Sequence, residues 1–205
     1  TDYDFRYGTT LMGIGDTNGD GADELMVASY TWLLDCPAPT YSSSDWDSAP
    51  SSTCSNHGGR MFIYNGRTGG LDTDHSATMR GDGETDQFAR SVMTQADFNG
   101  DGHEDLLVGI PYDDDGGSDA GSLRLFSGSS IGISSSEVVT IDGGSGGENL
   151  GLYTYRFGAG DLNGDGYDDL VVGIPTDDTT GSDAGKIVVY MGTSAYLPTY
   201  ITTTL

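Results

Sequence analysis

The sequence predicts an all-β protein built from three repeats of four antiparallel strands. Three observations predict it. One acidic ten-residue motif occurs three times, each copy runs into a short alternating apolar segment, and the background is rich in glycine. Across 205 residues there are 33 glycines and 6 prolines, and 35% of residues are hydrophobic. Such a background suits short strands and tight turns better than long amphipathic helices.

The motif comes first because it sets the period. DTNGDGADEL at 16–25, DFNGDGHEDL at 97–106 and DLNGDGYDDL at 161–170 are one pattern three times. Each is followed by an apolar run: MVASY, LVGIP and VVGIP. The second and third copies continue in parallel as YDDDGGSDAG (112–121) and TDDTTGSDAG (176–185). An alternating strand ending in glycine closes the common part: MFIYNG (61–66), LRLFSG (123–128) and IVVYMG (187–192).

In the second repeat FARSVMTQAD (88–97) leads into the motif and LLVGI (106–110) leaves it. SLRLF (122–126) is the third strand and SSEVVTID (135–142) the fourth. PTYITTTL (198–205) matches that fourth strand in the third repeat. Units of this size and strand count, with glycine-rich turns, read as propeller-type blades. The expected units are residues 1–82, 83–144 and 145–205. Three blades leave an open arc, so the chain reads as a partial β-propeller or as a unit that assembles with others.

Asp97 to Asp161 is 64 residues and Asp16 to Asp97 is 81, which places an insertion at about 31–58 in the first repeat. It holds both cysteines, Cys36 and Cys54. Two close cysteines with no other thiol read as one disulfide restraining a long surface loop, the alternative being two unrelated free thiols. A disulfide places the chain in an oxidising compartment. Trp32, Tyr41 and Trp46 in the insertion either stack on sugars or pack within the loop.

The motif D-x-N-G-D-G-x-x-[DE] has a direct chemical reading as a calcium loop. Calcium takes six to eight oxygens, and side chains at alternate positions of a tight turn converge on one point. Positions 1, 3 and 5 are Asp16, Asn18 and Asp20; Asp97, Asn99 and Asp101; and Asp161, Asn163 and Asp165. Glycines at positions 4 and 6 permit the positive φ that the turn requires. Position 7 offers only its backbone carbonyl, so its side chain is free to vary, and it is Ala22, His103 or Tyr167. The acid at position 9 (Glu24, Asp105 or Asp169) closes the shell. The expectation is three Ca2+ sites, one per repeat.

An EF-hand shares the first six positions but needs flanking helices and a glutamate at position 12. Here position 12 is Val27, Val108 or Val172, inside a strand pattern. The competing reading, a solvated Asx/Gly turn, does not require oxygen donors at alternate positions in every copy. Magnesium, which prefers a rigid octahedron with retained waters, fits less well.

These residues resemble the FG-GAP repeats of the integrin α-subunit propeller and of many secreted microbial proteins. Phe-Gly appears as Tyr7-Gly8, Phe88-Ala89 and Leu150-Gly151. Phe157-Gly158 lies too near its loop to be the counterpart. Gly-Ala-Pro appears as Gly109-Ile110-Pro111 and Gly173-Ile174-Pro175, and as Ala28-Ser29-Tyr30 in the divergent first repeat. The resemblance implies an extracellular or cell-surface calcium-binding module for adhesion, with a protein or glycan ligand. The incomplete blade count motivates an alternative, a subunit that self-assembles with further copies of itself into a fibre or surface layer.

Charge excludes other classes. Thirty-two acidic residues against eight basic ones give −24, which repels nucleic acid and anionic membranes. No apolar run is long enough to span a bilayer. His57, His75 and His103 fall in no H-E-x-x-H pattern, and no G-x-S-x-G elbow occurs, so no enzyme is expected. The pairs Asp113-Asp114 and Asp177-Asp178 have the groups for acid–base work, but their recurrence in two repeats favours a structural or weak-cation role, and Arg80-Gly81-Asp82 reads as a chance tripeptide.

Overall fold

A computed structural model describes residues 7–31, 58–83, 85–144, 147–198 and the backbone of 203–204. Cys36, Cys54, Trp32, Tyr41, Trp46 and His57 lie outside them, as does most of the insertion. The described residues form three four-stranded antiparallel sheets, each strand pairing with the next in sequence.

The first sheet takes β1 (Thr10–Gly13), β2 (Leu25–Ser29), β3 (Arg60–Tyr64) and, after a small hairpin of β4 (Gly66–Arg67) and β5 (Gly70–Leu71), β6 (Ala77–Arg80). The second takes β7 (Ser91–Ala96), β8 (Asp105–Ile110), β9 (Ser122–Phe126) and β10 (Glu137–Asp142). The third takes β11 (Phe157–Gly160), β12 (Asp169–Ile174), β13 (Lys186–Tyr190) and β14 (Thr203–Thr204). The hairpin of β4 and β5 departs from the expected repeat. In every sheet the acidic motif is the turn between the first and second strands, so its ends are fixed by ladder pairs such as Gly13 with Leu25 and Gly160 with Asp169.

Alternation along β8 explains how the sheets meet. Leu106, Val108 and Ile110 join Met26, Ala28, Met61 and Ile63 in one core between the first and second sheets. Leu107, Leu123 and Leu125 point the other way and join Leu170, Val172, Ile174 and Val188 in a second core. A strand buried on both faces reads as a continuous apolar run, and DLLVGI is buried at every position. Each such side chain contributes about 1.5–3 kcal/mol relative to exposure.

Two short segments cross from one sheet into the one before it. Phe88 is fully buried, meets Phe126 edge-on at 6.1 Å and donates its amide to Gly58 at 2.8 Å. Leu150 donates its amide to Ala120 at 2.9 Å and bridges Gly121. These are the Phe-Gly counterparts expected from the sequence, and Leu150-Gly151 takes the place that Phe88-Ala89 takes one repeat earlier. Gly121 is needed there: its φ is +76°, and a Cβ would lie 2.5 Å from the Leu150 nitrogen.

Candidate metal centre

The three acidic loops share one hydrogen-bond frame. The position 1 carboxylate accepts two backbone amides across the turn: Asp16 from Asp20 (3.0 Å) and Gly21 (2.8 Å). Asp97 accepts from Asp101 and Gly102, and Asp161 from Asp165 and Gly166, at 2.8–3.1 Å. The position 3 asparagine oxygen accepts the position 5 amide at 2.8 Å in all three. The position 5 carboxylate accepts the amide of position 7: Ala22, His103 or Tyr167.

Glycines at positions 4 and 6 have φ between +70° and +90° in every copy, as the turn was expected to need. The frame turns the side-chain oxygens of positions 1, 3 and 5 toward one another. It also leaves them in or near solvent, as Asp20, Asp101 and Asp165 are exposed.

Position 9 is different. Glu24, Asp105 and Asp169 are at most 1% exposed. Their oxygens accept the position 2 amide of Thr17 (2.7 Å), Phe98 (3.1 Å) or Leu162 (3.0 Å). Asp105 and Asp169 also accept the amides of Gly128 and Gly192, the glycines just past the third strands. Burial pushes the Asp105 carboxyl up to about 7, while the amide of Gly166, with those of Gly164 and Asp165, holds Asp161 below its ordinary value. A carboxylate oxygen holding one amide hydrogen keeps a further lone pair for a cation.

Two observations test whether a divalent ion fits. In the first loop, oxygens of Asp16, Asp20 and Glu24 all lie within 4.8 Å of one another. Glutamate there reaches one methylene further than the aspartates at position 9 of the other loops. Second, among the described residues the Oε2 atom of Glu104 is buried without a hydrogen-bond partner. Burial raises the Glu104 pKa, and Asp23 and Asp16 raise it further. A hard cation in the first loop would supply the positive charge that this crowd of carboxylates lacks.

The loops also touch one another, through residues that the motif reading did not single out. Asp168, at position 8, accepts the amide of Asp97 at 2.8 Å and donates its own amide to the Asp97 carbonyl at 3.0 Å. The third loop thereby holds position 1 of the second. Glu104 occupies the same place against the first loop, where a Cβ on Gly15 would lie 2.5 Å from its Oε2. Position 7 leans the same way: Tyr167 abuts Gly100, and His103 abuts Gly19, so the His103 side chain is half-buried against the neighbouring loop and not solvent-facing. An acid at position 8 in all three copies (Asp23, Glu104, Asp168) was the signal in the sequence.

Asp168→Ala should therefore cost about 1–2 kcal/mol, as it leaves the Asp97 amide unpaired. Asp23→Ala, at an exposed position, should cost less than about 0.5 kcal/mol. Denaturant unfolding of the two variants compares them.

Asp82, Asp113, Glu148 and Asp177 are held by basic side chains. Asp113 is buried and accepts the Ser122 hydroxyl (2.6 Å) and the Arg124 guanidinium (3.3 Å). Its counterpart Asp177 pairs with Lys186, which holds its carboxyl down at about 2, and Lys186 also lies 3.5 Å from Glu148. In Arg80-Gly81-Asp82 the aspartate is bound by Arg124 at 2.9 Å.

The family model for the FG-GAP repeat matches residues 88–126 and 153–190. Integrin alpha-5 of Xenopus laevis is 27% identical over 188 residues, covering 87% of this chain and 16% of that protein. Integrin alpha-7 of Rattus norvegicus is 30% identical over 119 residues, covering 57% of this chain and 10% of that protein. Phosphatidylinositol-glycan-specific phospholipase D of Bos taurus is 31% identical over 197 residues, covering 90% of this chain and 20% of that protein. The chain thus spans a small part of the length of the relatives it matches. No helix among the described residues is long and apolar enough to cross a membrane.

Proposed function

This chain carries the repeats of the FG-GAP family, and from that premise we propose that it is an extracellular, calcium-stabilised β-propeller-type module whose role is adhesion through a protein or glycan ligand. The observation that carries the proposal is the hydrogen-bond frame repeated in three loops, which presents oxygens at positions 1, 3 and 5. Asp16, Asn18, Asp20 and Glu24 would hold one ion with the Ala22 carbonyl. Asp97, Asn99, Asp101 and Asp105 would hold a second with the carbonyl of His103. Asp161, Asn163, Asp165 and Asp169 would hold a third with that of Tyr167.

Each ion ties the first strand of its sheet to the second and neutralises two units of charge, taking the chain from −24 toward −18. Through Asp168 and Glu104 an ordered loop also steadies the loop before it. Such a chain is a rigid scaffold that displays surface loops, the use to which binding modules put repeats. The resemblance to integrin α chains supports adhesion over catalysis. Of the aspartate pairs 113–114 and 177–178, Asp113 is engaged by Ser122 and Arg124, and Asp177 by Lys186.

Calorimetric titration of chelator-treated protein with CaCl2 tests the reading. A stoichiometry near three, with weaker heats for MgCl2, is the expected result. Absence of saturable calcium binding would overturn it.

A further inference from the structure

A groove of about 780 Å³ lies on the third sheet, and its lining includes Val171, Gly173, Ile174, Pro175, Gly185 and Ile187. Counting back 64 residues gives Leu107, Gly109, Ile110, Pro111, Gly121 and Leu123 on the second sheet. There the same surface is filled. Leu123 is 0% exposed, whereas Ile187 in the third sheet is 44% exposed. What fills it is Leu150-Gly151: a Cβ on Gly109 would come within 2.7 Å of the Gly151 α-carbon.

The first sheet repeats the arrangement with Phe88-Ala89. The plug's amide donates to a carbonyl beside the socket glycine, Phe88 to Gly58 at 2.8 Å and Leu150 to Ala120 at 2.9 Å. The residue after the plug is left-handed, with φ +62° at Ala89 and +90° at Gly151. Its carbonyl accepts a hydroxyl from the start of the socket's own sheet, Thr10 to Ala89 at 3.3 Å and Ser91 to Gly151. Two sockets and two plugs therefore match in conformation and in hydrogen bonds.

A third plug is present. In Tyr7-Gly8 the glycine has φ +84°, again left-handed. Tyr7 rests on the end of its own third strand, its hydroxyl 2.7 Å from that of Tyr64, as Phe88 rests on Phe126 at the equivalent place. We propose that the groove on the third sheet is a docking site for a large side chain followed by a left-handed glycine, and that between molecules of the 205-residue chain its occupant is Tyr7-Gly8 of a second copy. The contact joins different surfaces of the two copies, so it propagates head to tail and gives a ring or a filament according to the rotation between them. No residue of the groove belongs to an acidic loop, so this inference stands apart from the calcium reading.

Sedimentation velocity of the 205-residue chain across a wide concentration range, in calcium and at moderate salt, tests it. Gly173 lies in a strand outside the left-handed region, and a Cβ on it would meet only the Arg156 carbonyl, at 3.7 Å. Gly173→Val therefore fills the groove with little strain. The wild type should associate as concentration rises, and Gly173→Val should weaken association by at least about tenfold. A synthetic peptide of residues 3–12 should bind the wild type and inhibit association, and its Tyr7→Ala form should do neither. The peptide arm uses the wild type and so holds even where the variant fails to fold. A monomer at every concentration, association unchanged in Gly173→Val, or a peptide that does not bind would each overturn the proposal.

Discussion

Removing calcium with a chelator should lower the midpoint of thermal unfolding by about 15–30 °C. A site held at a hundredfold excess over its dissociation constant contributes about 2.7 kcal/mol, so three contribute roughly 8 kcal/mol. For a chain of this length each kcal/mol moves the midpoint by about 2–4 °C. The direction follows from charge: in the first loop carboxylate oxygens of Asp16, Asp20 and Glu24 lie within 4.8 Å of one another, and the whole chain carries −24. Scanning calorimetry with calcium, with chelator, and with magnesium restored after chelation separates the cases. Magnesium should recover less of the loss than calcium does.

The second large effect is at the joint between sheets. Phe88→Ala removes a fully buried ring that meets Phe126 and belongs to the core shared with Met61, Met79 and Ile110. The cost should be about 3–5 kcal/mol, the upper part of the range for large-to-small core changes. Ile131→Ala, at a side chain 90% exposed, should stay within about 0.5 kcal/mol. Urea unfolding in saturating calcium measures both. The loss at Phe88 should persist in calcium, because the socket and the loops are separate devices.

Much of this was legible because local chemistry repeats with a fixed period. The alternate donors of DLNGDGYDDL, the left-handed glycines at positions 4 and 6, and the strands on either side of each loop all follow from residues adjacent in sequence. Leu150-Gly151 could be matched to Phe88-Ala89 for the same reason, through its distance from the loop. Contacts between repeats were harder to read. Nothing local says that Asp168 reaches Asp97, that His103 leans on Gly19, or that Glu104 is brought beside Asp16, since each requires two sheets to be stacked first. Position 9 was read as a ligand closing the shell, and the structure adds that it is also the buried acceptor for the position 2 amide. Asp105 and Asp169 also accept the amides of Gly128 and Gly192, a contact between segments that the spacing alone does not reveal.

Anomalous diffraction from crystals grown in calcium addresses the cation loops most directly. Three peaks should appear, one within about 2.3–2.6 Å of oxygens from each set beginning at Asp16, Asp97 and Asp161. Ordered loops holding only water at saturating calcium would contradict the account.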